Sequence, residues 1–440
     1  MVSTSRSGIP NLWRAGRWRR AGFLPVLSLA LLFRLLWALL VPVRPVSDGA
    51  TYDLFARNLV AGLGYGFDLS HPTAYWPVGT SFLYSIFYRV FGFSYTPILV
   101  FNLVISCPTI WLTMLLAERW FNRRVAIVTG YGMALWPMQI EFVSLLSSEL
   151  IFNFLLVVWL YLWDKPVQKD GRHPRLSFFW KALGIGTLAA AASYIRPVAL
   201  VLPFMLSALE MARTRKYLAP IKSTALVYLV MAMLIAPWSI RNTRVFGQFI
   251  PISTNYGANL WMGNHDIDSG ETVDIPPEAF NMPEVERDHY LRRLAIDYIE
   301  QHPARFVLRT LVKAVRLHSH ETIGIHWNMP GLVSVYGERV LWPLKLISNL
   351  FWWAMLLLGL GGVVLIYLQQ GIWMLLKSPA FMIWYYFTAL YSILVVQDRY
   401  HFSSTPFIAI LAAVLLVAIG QWISEHQRMR DWHTESSFTS

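Results

Sequence analysis

A chain of 440 residues that is 56% apolar and only 14% charged, with 20 Trp and a mean hydropathy of +0.45, is not a soluble domain; it reads as a polytopic, all-α membrane protein. Its net charge of +12 is first set against the tendency of cytoplasmic loops to collect Lys and Arg. That tendency accounts for most of the charge and leaves no nucleic-acid partner implied. The single cysteine, Cys107, excludes an intrachain disulfide and a Cys-based metal site.

Arg14, Arg17, Arg19 and Arg20 precede the first apolar run, 21–42. The run is too long for a signal-peptide core, and VPVRP after it offers no small-x-small cleavage site, so it reads as an uncleaved span with a cytoplasmic N-terminus. The stretch 45–92 that follows opens with Asp48 and is too polar and too rich in Gly and Pro to cross a membrane. Tyr52, Phe55, Ala56 and Leu59 recur there at helical spacing, which predicts a short amphipathic helix over 50–62, ended by Gly62 and Gly64. A second such helix fits 77–91. Both read as interfacial.

Further spans fit 96–117, 125–143, 149–163, 178–194, 197–211, 223–240, 341–368, 379–397 and 403–422, about ten in all for a hydrocarbon core of roughly 30 Å. With 77–91 lying in the interface, the basic connections ERWFNRR, DKPVQKDGRHPR and ARTRKYLAPIK share the cytoplasmic side with both termini. The short outer connections then keep only Arg44, Arg57, Arg89, Arg196 and Arg399. Making 77–91 a crossing would invert every later loop. The expected organisation is an N-terminal transmembrane module (1–240) carrying the 45–92 loop, a long outer loop (241–340), and C-terminal spans with a cytoplasmic tail (341–440), in the inner (plasma) membrane. Within the long loop, 285–299 has a helical pattern. The run ARFVLRTLVKAVRLH puts Phe306, Val307, Thr310, Leu311 and Ala314 on one face, with Arg309, Lys313 and Arg316 largely on another, as an interfacial helix would.

This topology brings Asp48, Glu149, Arg196, Arg241, Asn242, Asp398, Arg399 and Tyr400 to one depth, on the periplasmic face. Ionisable groups at a membrane's edge that face a cavity are functional candidates. Asp48 has two readings, a helix N-cap or a general base taking a proton from an acceptor hydroxyl. Asp53, on another helix face, reads as solvated surface. Glu149 after Ser147-Ser148 is either a first-turn acid matched to the helix dipole or a second carboxylate that orients an acceptor or a metal. Arg196, Arg241, Arg244 and Arg399 read either as snorkelling anchors or as a phosphate clamp, for which the planar guanidinium is suited. Arg34, deep in the first span, reads as a structural ion pair or buried hydrogen bond. Tyr75-Trp76-Pro77 fits an aromatic anchor and also a sugar contact. His265, Asp266, His318, His320 and His326 lack a compelling third ligand, so no metal site is assigned, and a divalent ion at Glu149 is the one cofactor left open. With no Gly-rich nucleotide loop, an activated substrate would arrive in the lipid phase.

The stretches SDGATYDLFARNLVAGLGYGF, PTAYWPVGTSFLYSIFYRVFG, SSELIF, SYIRPVAL, APWSIRNTRVFGQFIPISTNYGANLWMGN and DRYHFSSTPFIAIL, in that order over nearly the whole chain, resemble the membrane glycosyltransferases of the C-type fold. That group includes the protein O-mannosyltransferases, the lipid A aminoarabinose transferase and the rhizobial galacturonosyltransferases. The resemblance implies a bundle with a pair of juxtamembrane helices after the first span. It also implies inverting transfer of one sugar from a polyprenyl-phosphate donor to a hydroxyl of a lipid, glycan or protein acceptor, with Asp48 as catalytic base and Arg196, Arg241 and Arg399 at the phosphate. Tyr75, Trp76, Asn242 and Tyr400 would contact sugar or interface, and membrane lipids would be partners. Two positions depart from the pattern: Gly49 stands where many relatives carry Glu, and Tyr75-Trp76 stands where the aminoarabinose transferase has Glu-Lys. The rival readings are a flippase of lipid-linked saccharides, against which no repeated half is found, and an O-antigen polymerase- or ligase-like enzyme.

Overall fold

A computed structural model describes residues 22–165, 174–265 and 275–437. Backbone N–H and C=O groups have no water to bond within a bilayer, so helices satisfy them internally. Among the described residues every named element is a helix, apart from a lone antiparallel bridge between Gly66 and Pro72. The N-terminal arginines 14, 17, 19 and 20, and Asp266, lie outside the described residues.

Among the described residues six helices are long and apolar enough to cross a membrane: Thr96–Trp120, Phe178–Ile195, Pro197–Thr214, Leu218–Phe246, Glu338–Gln370 and Asp398–Arg428. A bent pair, Pro137–Ser144 with Glu149–Asp164, would make a seventh. The other expected spans are present as shorter helices, for sequence reasons. Leu24–Leu40 has 17 residues. The stretch 125–143 is interrupted because Trp136 is extended before Pro137, whose ring cannot continue the Arg123–Leu135 helix. The chain then turns through 120° into Glu149–Asp164. The span expected over 379–397 stops at Ile393.

The last helix is the centre of the core: Phe407 to Val414 are buried without interruption, and it packs on Leu341–Gln370 and Arg123–Leu135. Gly362 makes this possible, because a Cβ there would stand 2.0 Å from the Leu411 carbonyl oxygen. Small residues that let helices close up are the usual means of association where lipid and side chain are equally apolar. Arg34 is buried as expected, donating to the carbonyls of Ala134 and Met133 at 3.0 Å each.

The amphipathic pair is present as Asp48–Val60 and Val78–Phe91, packed on each other. Asp53 is not solvated surface. It joins the pair, accepting from Arg57 at 2.9 Å, from Tyr95 at 3.1 Å and from the Tyr88 hydroxyl. The run after His302 is the helix Pro303–Arg316, with Val307, Leu308, Leu311 and Val315 exposed. Its cationic face is the one that turns into the protein. Lys313 is 1% exposed and donates to the carbonyls of Gly263 and Leu394 at 2.9 Å each, and Arg309 donates to the His265 carbonyl. Burial, with Arg309 close by, pushes the Lys313 ammonium down to about 7.

Candidate active site

Asp48 is the first residue of its helix rather than the cap. The capping position is Ser47, whose side chain makes no capping bond and whose φ of 50° lies in the left-handed region. That backbone kink delivers the Asp48 carboxylate inward, where Oδ2 accepts from Arg399 Nη1 at 2.6 Å and Oδ1 from Trp76 Nε1 at 3.2 Å. Burial alone would push the carboxyl up. The Arg399 guanidinium and the Trp76 N–H outweigh it and hold Asp48 below the usual carboxylate range. At neutral pH the group is ionised.

Glycine at position 49 has a packing reason. A Cβ at this position would meet the Leu146 carbonyl oxygen at 2.8 Å, so the helix can seat against the 145–148 turn only with glycine here. That turn also leads into Glu149–Asp164. Glu149, 1% exposed, accepts from Arg196 Nη1 at 2.9 Å and lies 3.9 Å from Arg399 Nη1. Asp48, Arg399, Glu149 and Arg196 thus form a chain of alternating charge, drawn from four separate segments. Aromatic rings enclose it: Arg399 lies 4.7 Å from the Trp327 ring centre and 5.3 Å from that of Tyr400. Arg196 lies 5.4 Å from Tyr400, which stacks on Tyr391 at 4.6 Å. Tyr75 packs edge-on to Trp76, 4.6 Å between centres.

Two of the expected residues stand apart from this chain. Arg241 donates to the carbonyls of Thr73 and Tyr65 at 2.9 Å each, and Asn242 is buried and donates to the Ile250 carbonyl at 3.2 Å. Both fasten the 65–74 loop and the 246–252 turn to the end of Leu218–Phe246. The clustered arginines are therefore Arg196 and Arg399.

A supporting layer behind Arg399 was not legible as such. Asp398 accepts from the backbone N–H groups of Thr322 and Ile323 at 2.9 Å each, closing the start of the Ile323–Tyr336 helix. His401 Nδ1 lies 2.8 Å from the Leu317 carbonyl, an acceptor only, so that nitrogen carries the hydrogen. Its Nε2 lies 3.2 Å from Glu321 Oε2, a contact that needs one proton shared by the pair. Burial pushes Glu321 up to about 8 against the Trp136 N–H that donates to it, which places that proton on the carboxyl at neutral pH. The contiguity of Asp398, Arg399 and His401 was the available signal; Trp327, Glu321 and Tyr391 gave none.

His318 bonds the Ala314 carbonyl and Trp384 Nε1, and His320 lies 3.7 Å from Asp398. Among the described residues no three His, Cys, Asp or Glu side chains group as a metal site.

The profile of the dolichyl-phosphate-mannose-protein mannosyltransferase family matches residues 70–240. The fold is similar to that of ArnT from Cupriavidus metallidurans bound to undecaprenyl phosphate, with a TM-score of 0.56 at 14% identity over 90% of this chain and 60% of that one. It is similar also to the archaeal oligosaccharyltransferase AglB from Archaeoglobus fulgidus in complex with an inhibitory peptide and a dolichol-phosphate, with a TM-score of 0.53 at 12% identity over 93% and 51%. The same Archaeoglobus enzyme tethered to an acceptor peptide gives 0.55 at 13% identity over 93% and 51%. No curated protein sequence matches. The chain thus spans between half and two thirds of the length of these neighbours, and it has the C-type membrane glycosyltransferase fold.

Proposed function

We propose that the protein is a multi-pass membrane glycosyltransferase that moves one sugar, with inversion, from a polyprenyl-phosphate-linked donor to an acceptor hydroxyl. The observation that carries this is the ionised Asp48 held against Arg399 in a charge chain with Glu149 and Arg196, on a fold of this class.

In the resting chain Asp48 and Arg399 neutralise each other. A donor phosphate entering beside Arg399 and Arg196 draws the guanidinium toward itself and frees Asp48. Asp48 then takes the proton of the acceptor hydroxyl, whose oxygen forms a bond to the anomeric carbon as the bond from that carbon to the phosphate oxygen breaks. The negative charge left on the polyprenyl phosphate falls to the two arginines, which are stronger partners for it than ammonium groups. Glu149 keeps Arg196 charged and aimed. Tyr75, Trp76 and Tyr400 supply aromatic walls for the sugar, and Arg241 and Asn242 hold the loop that carries Trp76. The acceptor's class, whether lipid, glycan or protein, is set outside this charge chain.

We place the site on the periplasmic side. In support, the basic segments 118–124 and 212–222 sit at helix ends opposite Asp48, as the orientation rule requires of a cytoplasmic face.

The test is sugar transfer in proteoliposomes from a panel of radiolabelled polyprenyl-phosphate sugars, comparing wild type with Asp48→Asn at matched folding. Turnover by wild type and its loss in the variant support the reading. If no donor is consumed while intact lipid-linked saccharide crosses the membrane, the flippase reading replaces it.

A further inference from the structure

Opposite Asp48, at the far end of the bundle, lies a cleft of about 290 Å³ that the proposed reaction does not use. It opens where Thr96–Trp120, Leu202–Thr214 and Leu341–Gln370 end and Pro379–Ile393 begins. The first of these helices has 25 residues, so at about 1.5 Å per residue the cleft is on the order of 37 Å from the Asp48 end, a full membrane away.

Three cations line it: Arg119, Arg213 and Lys377. Asp164 is the carboxylate paired with the arginines, at 3.9 Å from Arg119 and 3.2 Å from Arg213, and Lys377 has no carboxylate partner among the described residues. The cleft therefore keeps an excess of positive charge. Two further features favour an anion. The Pro379–Ile393 helix starts at the cleft with Ser378 in the capping position but without a side-chain cap, so the N–H groups that follow Pro379 receive no bond from Ser378 and the positive end of the helix faces the cleft. In the cleft wall, Ser378 Oγ and Trp120 Nε1 are both buried without a hydrogen-bond partner, on side chains more than nine-tenths buried. Buried polar atoms left unpaired are rare in native folds.

The rim identifies the source of the anion. Trp373 is 74% exposed, flanked by the exposed Ile372 and Met374, and Met374 and Ile366 continue as apolar wall. An exposed Trp beside a basic cleft at a helix end matches the headgroup level of a bilayer, where a phosphate sits directly below acyl chains.

We infer that this cleft binds the phosphate headgroup of an anionic membrane lipid, on the leaflet opposite the active site. The Lys377 and Arg213 side chains and the start of Pro379–Ile393 engage the phosphate, and Ile366 and Met374 guide the acyl chain. The inference is independent of the catalytic reading, and its failure would leave that reading intact.

The experiment uses the purified full-length protein in a neutral detergent, titrated with dioctanoyl phosphatidylglycerol. Dioctanoyl phosphatidylcholine serves as the zwitterionic headgroup and inorganic phosphate as the anion without a chain. The readouts are the thermal midpoint and tryptophan emission, with native mass spectrometry to count bound lipid. Phosphatidylglycerol should raise the midpoint saturably, and Lys377→Gln and Arg213→Gln should each weaken half-saturation about fivefold. Arg124→Gln, exposed near the same end but not lining the cleft, should leave it unchanged. Equal responses to the two lipids, or unchanged half-saturation in both cleft variants, would overturn the site. Full displacement of the lipid by millimolar inorganic phosphate would overturn the lipid as its ligand.

Discussion

Removing the charge of Asp48 changes two properties at once, and a charge-restoring partner substitution separates them. Asp48→Asn keeps an oxygen for the Trp76 N–H but takes the close counter-charge from Arg399, which is 12% exposed and then has Gln397 Oε1 at 2.6 Å, a neutral acceptor, and Glu149 at 3.9 Å as its carboxylate. Breaking a buried pair on one side destabilises by about 3 kcal/mol, because the surviving charge is left without compensation. Asp48→Asn/Arg399→Gln restores neutrality: the shorter glutamine gives up the 2.6 Å contact, but no charge is left without its partner. The double variant should therefore recover most of the lost thermal midpoint. Transfer should not recover, since the base is gone and one of the two phosphate arginines with it: a fall of at least the roughly 100- to 10,000-fold typical of losing general base catalysis is expected. The assay pairs melting in detergent with transfer of labelled sugar at saturating donor, single and double variants side by side. If the double variant regained transfer along with stability, Asp48 would be a structural counter-ion for Arg399 and the mechanism would be wrong.

Gly49→Ala should destabilise by about 1–3 kcal/mol and slow transfer, because its Cβ must displace the Leu146 carbonyl that seats the Asp48 helix; an unchanged melting point would refute that account. Ser47→Gly, which relieves a left-handed φ of 50°, should raise stability by about 1 kcal/mol in the same melting assay. Arg241→Gln loses two bonds to the carbonyls of Thr73 and Tyr65 and should lower stability by about 2 kcal/mol while leaving the donor KM nearly unchanged; a large rise in KM would return Arg241 to the phosphate. Glu321 has its pKa raised from 4.5 to about 8 in the fold, so it holds a proton that the unfolded chain has lost. Its contribution to stability is full below pH 4.5 and is lost as pH rises to about 8. Glu321→Gln, which can donate permanently to His401, should flatten the fall in thermal midpoint between pH 5 and 9, and a parallel fall in both proteins would contradict the shared-proton assignment.

Apolar run length, Lys and Arg bias and helical spacing determined the class of fold and the amphipathic pair after the first span. These are properties of local stretches, and the bilayer imposes them locally: a segment either removes its polar backbone from lipid or does not cross. The same reasoning located Asp48, Glu149, Arg196 and Arg399 at a common depth, because depth follows from position within a span. It could not say which of them touch. Asp48 and Arg399 are separated by 351 positions, and only packing of the first loop against the last helix brings them to 2.6 Å. Packing also sends Arg241 to the Thr73 and Tyr65 carbonyls and turns the charged face of Pro303–Arg316 inward through Lys313. An arginine at a membrane's edge has the same sequence signature whether its fork meets a carboxylate, a backbone carbonyl or a phosphate. Its partner is fixed by which surfaces are buried together, and that is a property of the assembled bundle.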